Sequence, residues 1–204
     1  LVQDIHNRGM HIVIDGVFNH CSWYFPQFSD VVEKGESSEY ANWFYRLQFP
    51  GIRPATEEEK PTYSCFAYER KMPKLNSSNP EERAYFMEVC RYWIREFKVD
   101  GWRLDVANEV DRGFWRDFHR AAHEENPESV MIGEIWESSE TWLNGDMFDS
   151  TMNYDFRKNC RDFFALRKIS AEEFHDRIVK MLLRYRTGTL RGQLNLLDSH
   201  DVNR

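Results

Sequence analysis

Short apolar runs alternate with amphipathic segments along most of this chain. Strands are predicted over residues 11–17, 101–105, 130–134 and 193–197, with a further candidate at 148–152. Helices are predicted between them, over residues 79–98, 112–125 and 171–186. Such alternation implies parallel strands joined by right-handed helical crossovers. Either a doubly wound sheet or a (β/α) barrel fits, and the lack of a G-x-G-x-x-G turn argues against a nucleotide-binding sheet.

One long stretch interrupts this alternation. Residues 22–78 are rich in Pro, Ser, Gly and aromatic residues and show little periodicity. Because a structureless loop of this length is improbable inside a compact domain, we interpret the stretch as a small irregular subdomain inserted after the first strand. The helix that follows has a clear start, with Asn79 as N-cap and Pro80 at its first position.

The composition is that of a globular chain large enough for one domain. Among 204 residues, 41% are hydrophobic and 30% are charged, and no apolar run approaches the roughly 18 residues of a membrane-spanning helix. The net charge of −7 argues against a nucleic-acid partner. The chain begins at Leu1 without an initiator Met, so we interpret it as a piece of a longer protein. Four cysteines without C-x-x-C spacing are typical of free thiols in a reducing compartment, and we expect a cytoplasmic protein.

Ionisable and hydrogen-bonding residues stand at the ends of four predicted strands. These ends read Asp15-Gly16-Val17-Phe18-Asn19-His20, Arg103-Leu104-Asp105, Gly133-Glu134 and Ser199-His200-Asp201. In a (β/α) barrel all strand carboxyl ends open on one face, and that face carries the active site. A lone Asp at a strand end is more often a helix N-cap, and a lone His more often has a structural role. Four such strand ends together favour a functional site.

Three carboxylates, two imidazoles and a guanidinium suit the retaining hydrolysis of glycosides. That reaction needs two carboxyl groups about 5–5.5 Å apart, one as nucleophile and one initially protonated. The i, i+2 spacing of Arg103 and Asp105 places both side chains on one face of a strand, where the guanidinium would keep Asp105 ionised. Glu134 lies in an apolar run, which suits an acid with a raised pKa. The imidazoles of His20 and His200 would bind sugar hydroxyls.

The residues at these strand ends resemble the α-amylase family, glycoside hydrolase family 13. Its four short signatures are similar to residues 15–20, 101–107, 133–136 and 199–201, in this order along the chain. Two further segments, Met72-Pro73-Lys74-Leu75-Asn76 and residues 106–111, resemble neopullulanases, maltogenic amylases and cyclomaltodextrinases. The resemblance implies an α/β fold, a partial (β/α)8 TIM barrel of about strands 3 to 7. Residues 1–21 and 79–204 would be barrel segments, and residues 22–78 would be the inserted subdomain that walls the cleft.

The resemblance also implies a role for each site residue. Asp105 would be the nucleophile, Glu134 the general acid/base, and Asp201 the carboxylate that stabilises the transition state. The residues implied in substrate binding are Arg103, His20, His200, Asp15, Arg204, Asn108, Glu109 and Trp136. No cofactor is implied as required, and Asn19 would be a metal ligand only if calcium were bound. The substrate would be an α-glucan such as starch, cyclodextrin or pullulan, and a homodimeric parent enzyme stays open.

Two residues depart from the subfamily pattern. The sequence therefore leaves open which glucosidic bond is preferred and whether hydrolysis or glycosyl transfer dominates. Glu137 and Arg112 stand where that subfamily usually has histidine. An α-glucosidase or transglycosylase of the same family is therefore the main alternative. A non-catalytic carbohydrate-binding relative would lack a catalytic carboxylate, whereas all three are present. A metal-dependent hydrolase barrel would need closely spaced strand-end histidines, whereas His119 and His123 lie on a predicted surface helix.

Overall fold

Five parallel strands form a single sheet in a computed structural model that describes residues 1–202. The strands are β1 (Val13–Gly16), β2 (Gly101–Leu104), β3 (Val130–Gly133), β4 (Ser150–Asn153) and β5 (Leu194–Asn195), and each pairs with the next along the chain. A doubly wound sheet reverses its strand order at a switch point, and no reversal occurs among these strands. The predicted α/β class and barrel order are therefore confirmed, with β1 and β5 as the edges of this part of a barrel.

One helix precedes β1, and the other helices lie in the connections between strands. They are α1 (Val2–His6), α2 (Pro26–Lys34), α3 (Pro80–Phe97), α4 (Arg112–Glu125), α5 (Tyr154–Cys160), α6 (Ala171–Leu183) and α7 (Thr187–Gly192). The predicted helices over 79–98 and 112–125 are confirmed, whereas α6 ends before the predicted 186 and β5 is shorter than the predicted 193–197. Within the described residues, no helix is both long enough and apolar enough to cross a membrane.

Side-chain caps fix the starts of the main helices. The Asn79 side chain accepts hydrogen bonds from the Glu81 and Glu82 N–H groups, at 3.0 and 2.9 Å, which confirms the predicted N-cap of α3. Asn153 caps α5 by accepting from the Phe156 N–H at 3.0 Å. Each cap contributes about 1 kcal/mol to helix stability. Because Asn153 is also the last residue of β4, strand and helix join without a loop, and the sequence analysis did not predict α5.

The core lies between the sheet and the pair α3 and α4. Alternation along β2 directs Trp102 and Leu104 towards these helices, while Arg103 faces the other side of the sheet. The Trp102 ring lies 5.5 Å from that of Phe118 on α4, and Phe18 packs on Phe118 at 4.9 Å. Only one face of α3 is buried against the rest of the fold. Apolar residues on its other faces, such as Trp93, therefore stay partly exposed.

A close approach of two strands requires a glycine at the start of β2. A Cβ atom at Gly101 would lie 2.2 Å from the carbonyl oxygen of Val130, its partner on β3. No side chain could be accommodated there without separating the strands. The pairing of β2 with β3 positions the two strand ends that carry Asp105 and Glu134.

The stretch over residues 22–78 is mostly irregular, as expected, but contains the helix α2. This helix buries Phe28 and Val31, and Phe28 packs edge-on against Phe44 and Tyr63 at 4.9 Å each. Isolated antiparallel bridges tie the stretch together, including one between His20 and Lys74. The sequence analysis did not single out α2, because its two buried apolar residues give too short a pattern to recognise. The exact bounds of the inserted subdomain stay a prediction.

All four cysteines are unpaired thiols. Cys90 and Cys160 are buried, and Cys21 and Cys65 are half-buried. Burial raises the pKa of the Cys21 and Cys90 thiols to about 12, so both stay neutral at physiological pH. These thiols are structural packing groups, in line with the expectation from the sequence.

Glu82 in the first turn of α3 is expected to make the protein less stable as pH rises. The side chain is fully buried, and neither carboxyl oxygen has a hydrogen-bond partner among the described residues. Burial raises its pKa from 4.5 to about 8, so the folded chain keeps a proton that the unfolded chain releases. Stability is therefore lost between these two pKa values, by about 3 kcal/mol from pH 5 to pH 8.

Urea unfolding at pH 5 and pH 8 tests this expectation. In Glu82→Gln, which imitates the protonated side chain, the free energy of unfolding should lose most of its pH dependence. The exposed neighbour provides a matched control, Glu81→Gln, which should behave like the wild type. Equal pH dependence in the wild type and in Glu82→Gln would show that Glu82 is not the group responsible.

Candidate active site

Backbone hydrogen bonds continue beyond the ends of β2 and β3. The Asp105 N–H donates to the Gly16 carbonyl at 3.0 Å, and the Glu134 N–H donates to the Leu104 carbonyl at 2.9 Å. Both residues are therefore held by the sheet itself rather than by a flexible loop. This placement at the strand carboxyl ends is the one predicted from the sequence.

One guanidinium joins the carboxylates of three adjacent strand ends. Arg103 Nη1 lies 2.7 Å from Asp105 Oδ1 and 2.9 Å from Asp15 Oδ1. Its Nη2 lies 3.0 Å from Glu134 Oε2. The prediction that Arg103 and Asp105 share one face of the strand is confirmed. Because Arg103, Asp105 and Glu134 are all largely buried, their contacts are shielded from solvent and fix the relative positions of Asp105 and Glu134, whereas Asp15 is more exposed.

Glu134 is the most buried of the three candidate catalytic carboxyl groups. Its side chain is only 3% exposed; Oε2 accepts the Val106 N–H at 2.8 Å, and Oε1 accepts the indole N–H of Trp136 at 3.2 Å. Burial raises the pKa of Glu134 above its ordinary value, and the charges of Asp105 and Asp201 raise it further. The Val106 N–H and Arg103 oppose this rise. The net result is a carboxyl group that keeps its proton to higher pH than an ordinary glutamate, as a general acid requires.

A strained backbone at Val106 supplies one of these hydrogen bonds. Val106 has φ of +43°, in the left-handed region that a β-branched residue rarely adopts. Its N–H points to Glu134 Oε2, and the next N–H, of Ala107, donates to the Glu134 carbonyl at 3.1 Å. Strain of this kind costs about 1–3 kcal/mol and persists where the surroundings enforce it, often at functional sites.

The segment that carries Asp201 reaches the same rim through Tyr154. The Ser199 hydroxyl lies 3.2 Å from the Tyr154 hydroxyl, and the Tyr154 ring stacks on Trp136 at 4.0 Å between ring centroids. Trp136 in turn donates to Glu134. The Asp201 charge also raises the pKa of Glu134, which places this carboxylate in the same electrostatic environment. The Asp201 N–H donates to Ser199 Oγ at 3.3 Å, so Asp201 is connected to Glu134 through Ser199, Tyr154 and Trp136.

The two predicted histidines differ in their surroundings. His20 is half-buried and stacks on Phe66 of the inserted stretch, with ring centroids 4.5 Å apart. Burial lowers the pKa of His20, and the nearby charge of Asp105 opposes that shift. His200 is largely exposed, with Nε2 at 3.2 Å from Asp201 Oδ2. His20 is therefore held against Phe66 of the inserted stretch, whereas His200 faces solvent beside Asp201.

The ammonium group of Lys74 binds the Asn19 side-chain oxygen, the atom that would have to serve as a calcium ligand. Its Nζ donates to Asn19 Oδ1 at 2.6 Å and to Glu109 Oε2 at 2.9 Å. Calcium needs six to eight oxygen ligands at about 2.3–2.6 Å. An ammonium already bound to the same oxygens repels a second cation and leaves too few ligands. The described residues therefore do not fit a calcium ion at Asn19.

Four residues singled out from the sequence are outside the group that contacts Arg103, namely Asn108, Glu109, Arg112 and Glu137. Asn108 and Glu109 are exposed on a short turn, residues 107–109, and Glu109 is paired with Lys74. Arg112 stacks over the Trp142 ring at 4.0 Å, and Glu137 is exposed. Arg204 lies outside the described residues. None of these placements contradicts the predicted set, although their roles stay predictions.

Sequence reasoning missed two side chains that the structure places at the site. Tyr154 directly follows the last residue of β4, so the strand-end rule applied to Asp105 and Glu134 would have found it. Lys74 lies in the segment Met72-Pro73-Lys74-Leu75-Asn76, which indicated the subfamily but gave no role for the lysine. Its contact with Asn19 joins residues far apart in sequence and has no local signal.

Comparison with known proteins gives a consistent result over the whole chain. Residues 1–204 match the family described as alpha amylase, catalytic domain. The chain is 45% identical to a cyclomaltodextrinase of Thermoanaerobacter pseudethanolicus (strain ATCC 33223 / 39E), with 100% of this chain and 35% of the relative covered. It is also 45% identical to the intracellular maltogenic amylase of Bacillus subtilis (strain 168), covering 100% of this chain and 34% of the relative. The chain spans about a third of the length of these curated relatives.

A solved structure agrees with these sequence matches. The fold superimposes on a cyclomaltodextrinase with a TM-score of 0.94 and 43% sequence identity, covering 100% of this chain and 34% of the other. The agreement includes the whole five-stranded segment, because the full chain is matched.

Proposed function

Because this chain belongs to the α-amylase family of glycoside hydrolases, we propose that its full-length gene product cleaves the α-glucosidic bonds of starch-related glucans, cyclodextrins or pullulan. The family supports α-glucan chemistry, and the relatives named cyclomaltodextrinase and maltogenic amylase support short or cyclic glucans as substrates. Retention of anomeric configuration by double displacement is part of the proposal. The single observation that carries it is the position of Asp105 and Glu134 side by side on the guanidinium of Arg103, at 2.7 and 3.0 Å.

In the first step, the Asp105 carboxylate attacks the anomeric carbon while the bond to the glycosidic oxygen breaks. Glu134 gives its proton to that oxygen, so the leaving sugar departs as a neutral alcohol. Arg103 keeps Asp105 oriented, and burial raises the pKa of Glu134, so this carboxyl group keeps its proton to higher pH than an ordinary glutamate. The product of this step is a glycosyl ester of Asp105.

In the second step, water attacks the same anomeric carbon and Asp105 leaves as a carboxylate. Glu134, now ionised, takes the proton of the water. Two inversions at one carbon give net retention. Asp201, His200 and His20 bind ring hydroxyls in this proposal, which stabilises the oxocarbenium-like transition state.

The residues around the three catalytic carboxyl groups bind the substrate in this proposal and take no part in breaking or forming bonds. We assign Trp136, half-exposed and stacked on Tyr154, to contact with a sugar face. Asp15, Asn108, Glu109 and Arg204 are assigned to substrate binding by the family pattern.

Calcium has no part in the proposed reaction. Lys74 supplies the positive charge beside Asn19 that a bound ion would otherwise provide. A cytoplasmic location is part of the proposal and rests on the relative named as intracellular and on the free thiols. Whether the full-length protein forms a homodimer is left open.

Product analysis with β-cyclodextrin, pullulan and starch tests this function. The full-length gene product, assayed with EDTA present, should open cyclodextrin to short malto-oligosaccharides. Proton NMR of the first products should show the α anomer before mutarotation. Glucose as the main early product would instead indicate an α-glucosidase, and longer chains would indicate a transglycosylase. A β-anomeric first product would contradict the retaining mechanism.

A further inference from the structure

A second group of ligand-type side chains lies at the opposite end of the sheet. His119 and His123 are one turn apart on α4 and therefore face the same direction. Asp149 directly precedes β4, and its backbone N–H and its Oδ2 bond Met131 of β3, at 3.0 and 2.8 Å. Asp149 thus stands at the amino ends of these strands, whereas Glu134 follows the carboxyl end of β3. The group is separate from the candidate active site.

The three side chains converge on one point. One ligand atom from each of His119, His123 and Asp149 can be chosen so that all lie within 4.8 Å of one another. The two imidazole rings are 4.0 Å apart between centroids, at an interplanar angle of 25°. Small side-chain rotations would bring such atoms to the separations found around a bound metal ion.

Hydrogen bonding leaves suitable lone pairs free. His123 Nδ1 lies 2.9 Å from the carbonyl oxygen of His119, so Nδ1–H donates and Nε2 keeps its lone pair. Metal-binding histidines in proteins are commonly oriented by such a bond from the second ring nitrogen. Asp149 uses Oδ2 for the Met131 N–H and therefore has its other oxygen available.

The electrostatic surroundings allow a cation to enter. A surface cavity of about 470 Å³ lies over the two histidines and is also lined by Arg116 and Arg120. Each arginine is paired with a carboxylate, Arg116 with Asp146 at 2.7 Å and Arg120 with Asp117 at 3.2 Å. Their charges are thereby compensated.

We propose that His119, His123 and Asp149 bind one divalent transition-metal ion, with Zn²⁺ as the expected metal. Two imidazole nitrogens and one carboxylate oxygen are typical zinc ligands. Calcium and magnesium prefer oxygen ligands alone, so this set of atoms does not suit them. Water would complete the tetrahedral coordination, since the site opens to the surface cavity. The ion would join α4 to the start of β4 and would stabilise the fold without taking part in glycoside cleavage.

Zinc titration of the EDTA-stripped full-length gene product tests the proposal. One Zn²⁺ should bind per protein chain with a micromolar or smaller dissociation constant. Saturating Zn²⁺ should raise the midpoint temperature of thermal unfolding by roughly 5 °C. Co²⁺ bound in its place should give visible d–d absorption bands. His119→Gln, His123→Gln and Asp149→Asn should each weaken Zn²⁺ binding at least about 100-fold. Circular dichroism confirms that each variant is folded.

A matched control is His175→Gln, which removes an exposed histidine on α6 and should leave Zn²⁺ binding unchanged. Failure to bind at millimolar Zn²⁺, or unchanged affinity in the three ligand variants, would overturn the proposal. Loss of binding in His175→Gln alone would also overturn it. Because the readouts are binding and melting rather than catalysis, the result is independent of the proposed hydrolase activity.

Discussion

Replacement of Asp105 by Asn is expected to lower kcat on cyclodextrin at least about 10³-fold while the protein stays folded. The amide keeps the size of the carboxylate but is a very poor nucleophile, so the glycosyl ester cannot form at a useful rate. Arg103 keeps its contacts with Asp15 and Glu134 in this variant, at 2.9 and 3.0 Å in the wild type. The site should therefore remain assembled, and KM should change much less than kcat.

The control for this substitution is Asp176→Asn on the exposed surface of α6, which should turn over as the wild type does. A second readout uses Asp105→Gly with added azide and α-glucosyl fluoride. The small anion should enter the space left by the carboxylate and displace fluoride, giving the β-glucosyl azide. Near-normal turnover of Asp105→Asn, or an α-azide product, would refute Asp105 as the nucleophile.

Glu134→Gln is expected to lower kcat/KM on glucans by roughly 10²- to 10⁴-fold. The loss should be smaller on aryl α-glucosides with good leaving groups, because their departure needs no proton. Glutamine has the size of the wild-type side chain, and its amide oxygen can still accept the Val106 N–H that lies 2.8 Å from Glu134 Oε2. The control is Glu128→Gln at an exposed position, which should leave kcat/KM unchanged on both glucans and aryl α-glucosides.

The pH profile gives an independent readout of the same residue. Because burial raises the pKa of Glu134, the protonated and active form persists to higher pH than for an ordinary glutamate. Wild-type kcat/KM should fall as pH rises through that raised pKa, and this alkaline limb should disappear in Glu134→Gln. Equal losses on glucans and activated aryl glucosides, together with an unchanged alkaline limb, would exclude Glu134 as the general acid.

The sequence by itself determined the order of elements and the central part of the site. Alternating strand and helix patterns force parallel strands, whose carboxyl ends meet on one face in a barrel. That rule located Asp105 and Glu134, and the two-residue period of a strand placed Arg103 beside Asp105. Both inferences succeed because they depend only on backbone periodicity, which is local in sequence.

Other features were decided only by the tertiary structure, because they depend on which side chains meet across the fold. The burial of Glu82 depends on which face of α3 packs inward. The contact of Lys74 with Asn19 joins the inserted stretch to a strand end, and the stack of Tyr154 on Trp136 joins two separate strand ends. No local pattern encodes these contacts, since the packing of distant segments creates them. The same packing places Asp149 beside the histidines of α4.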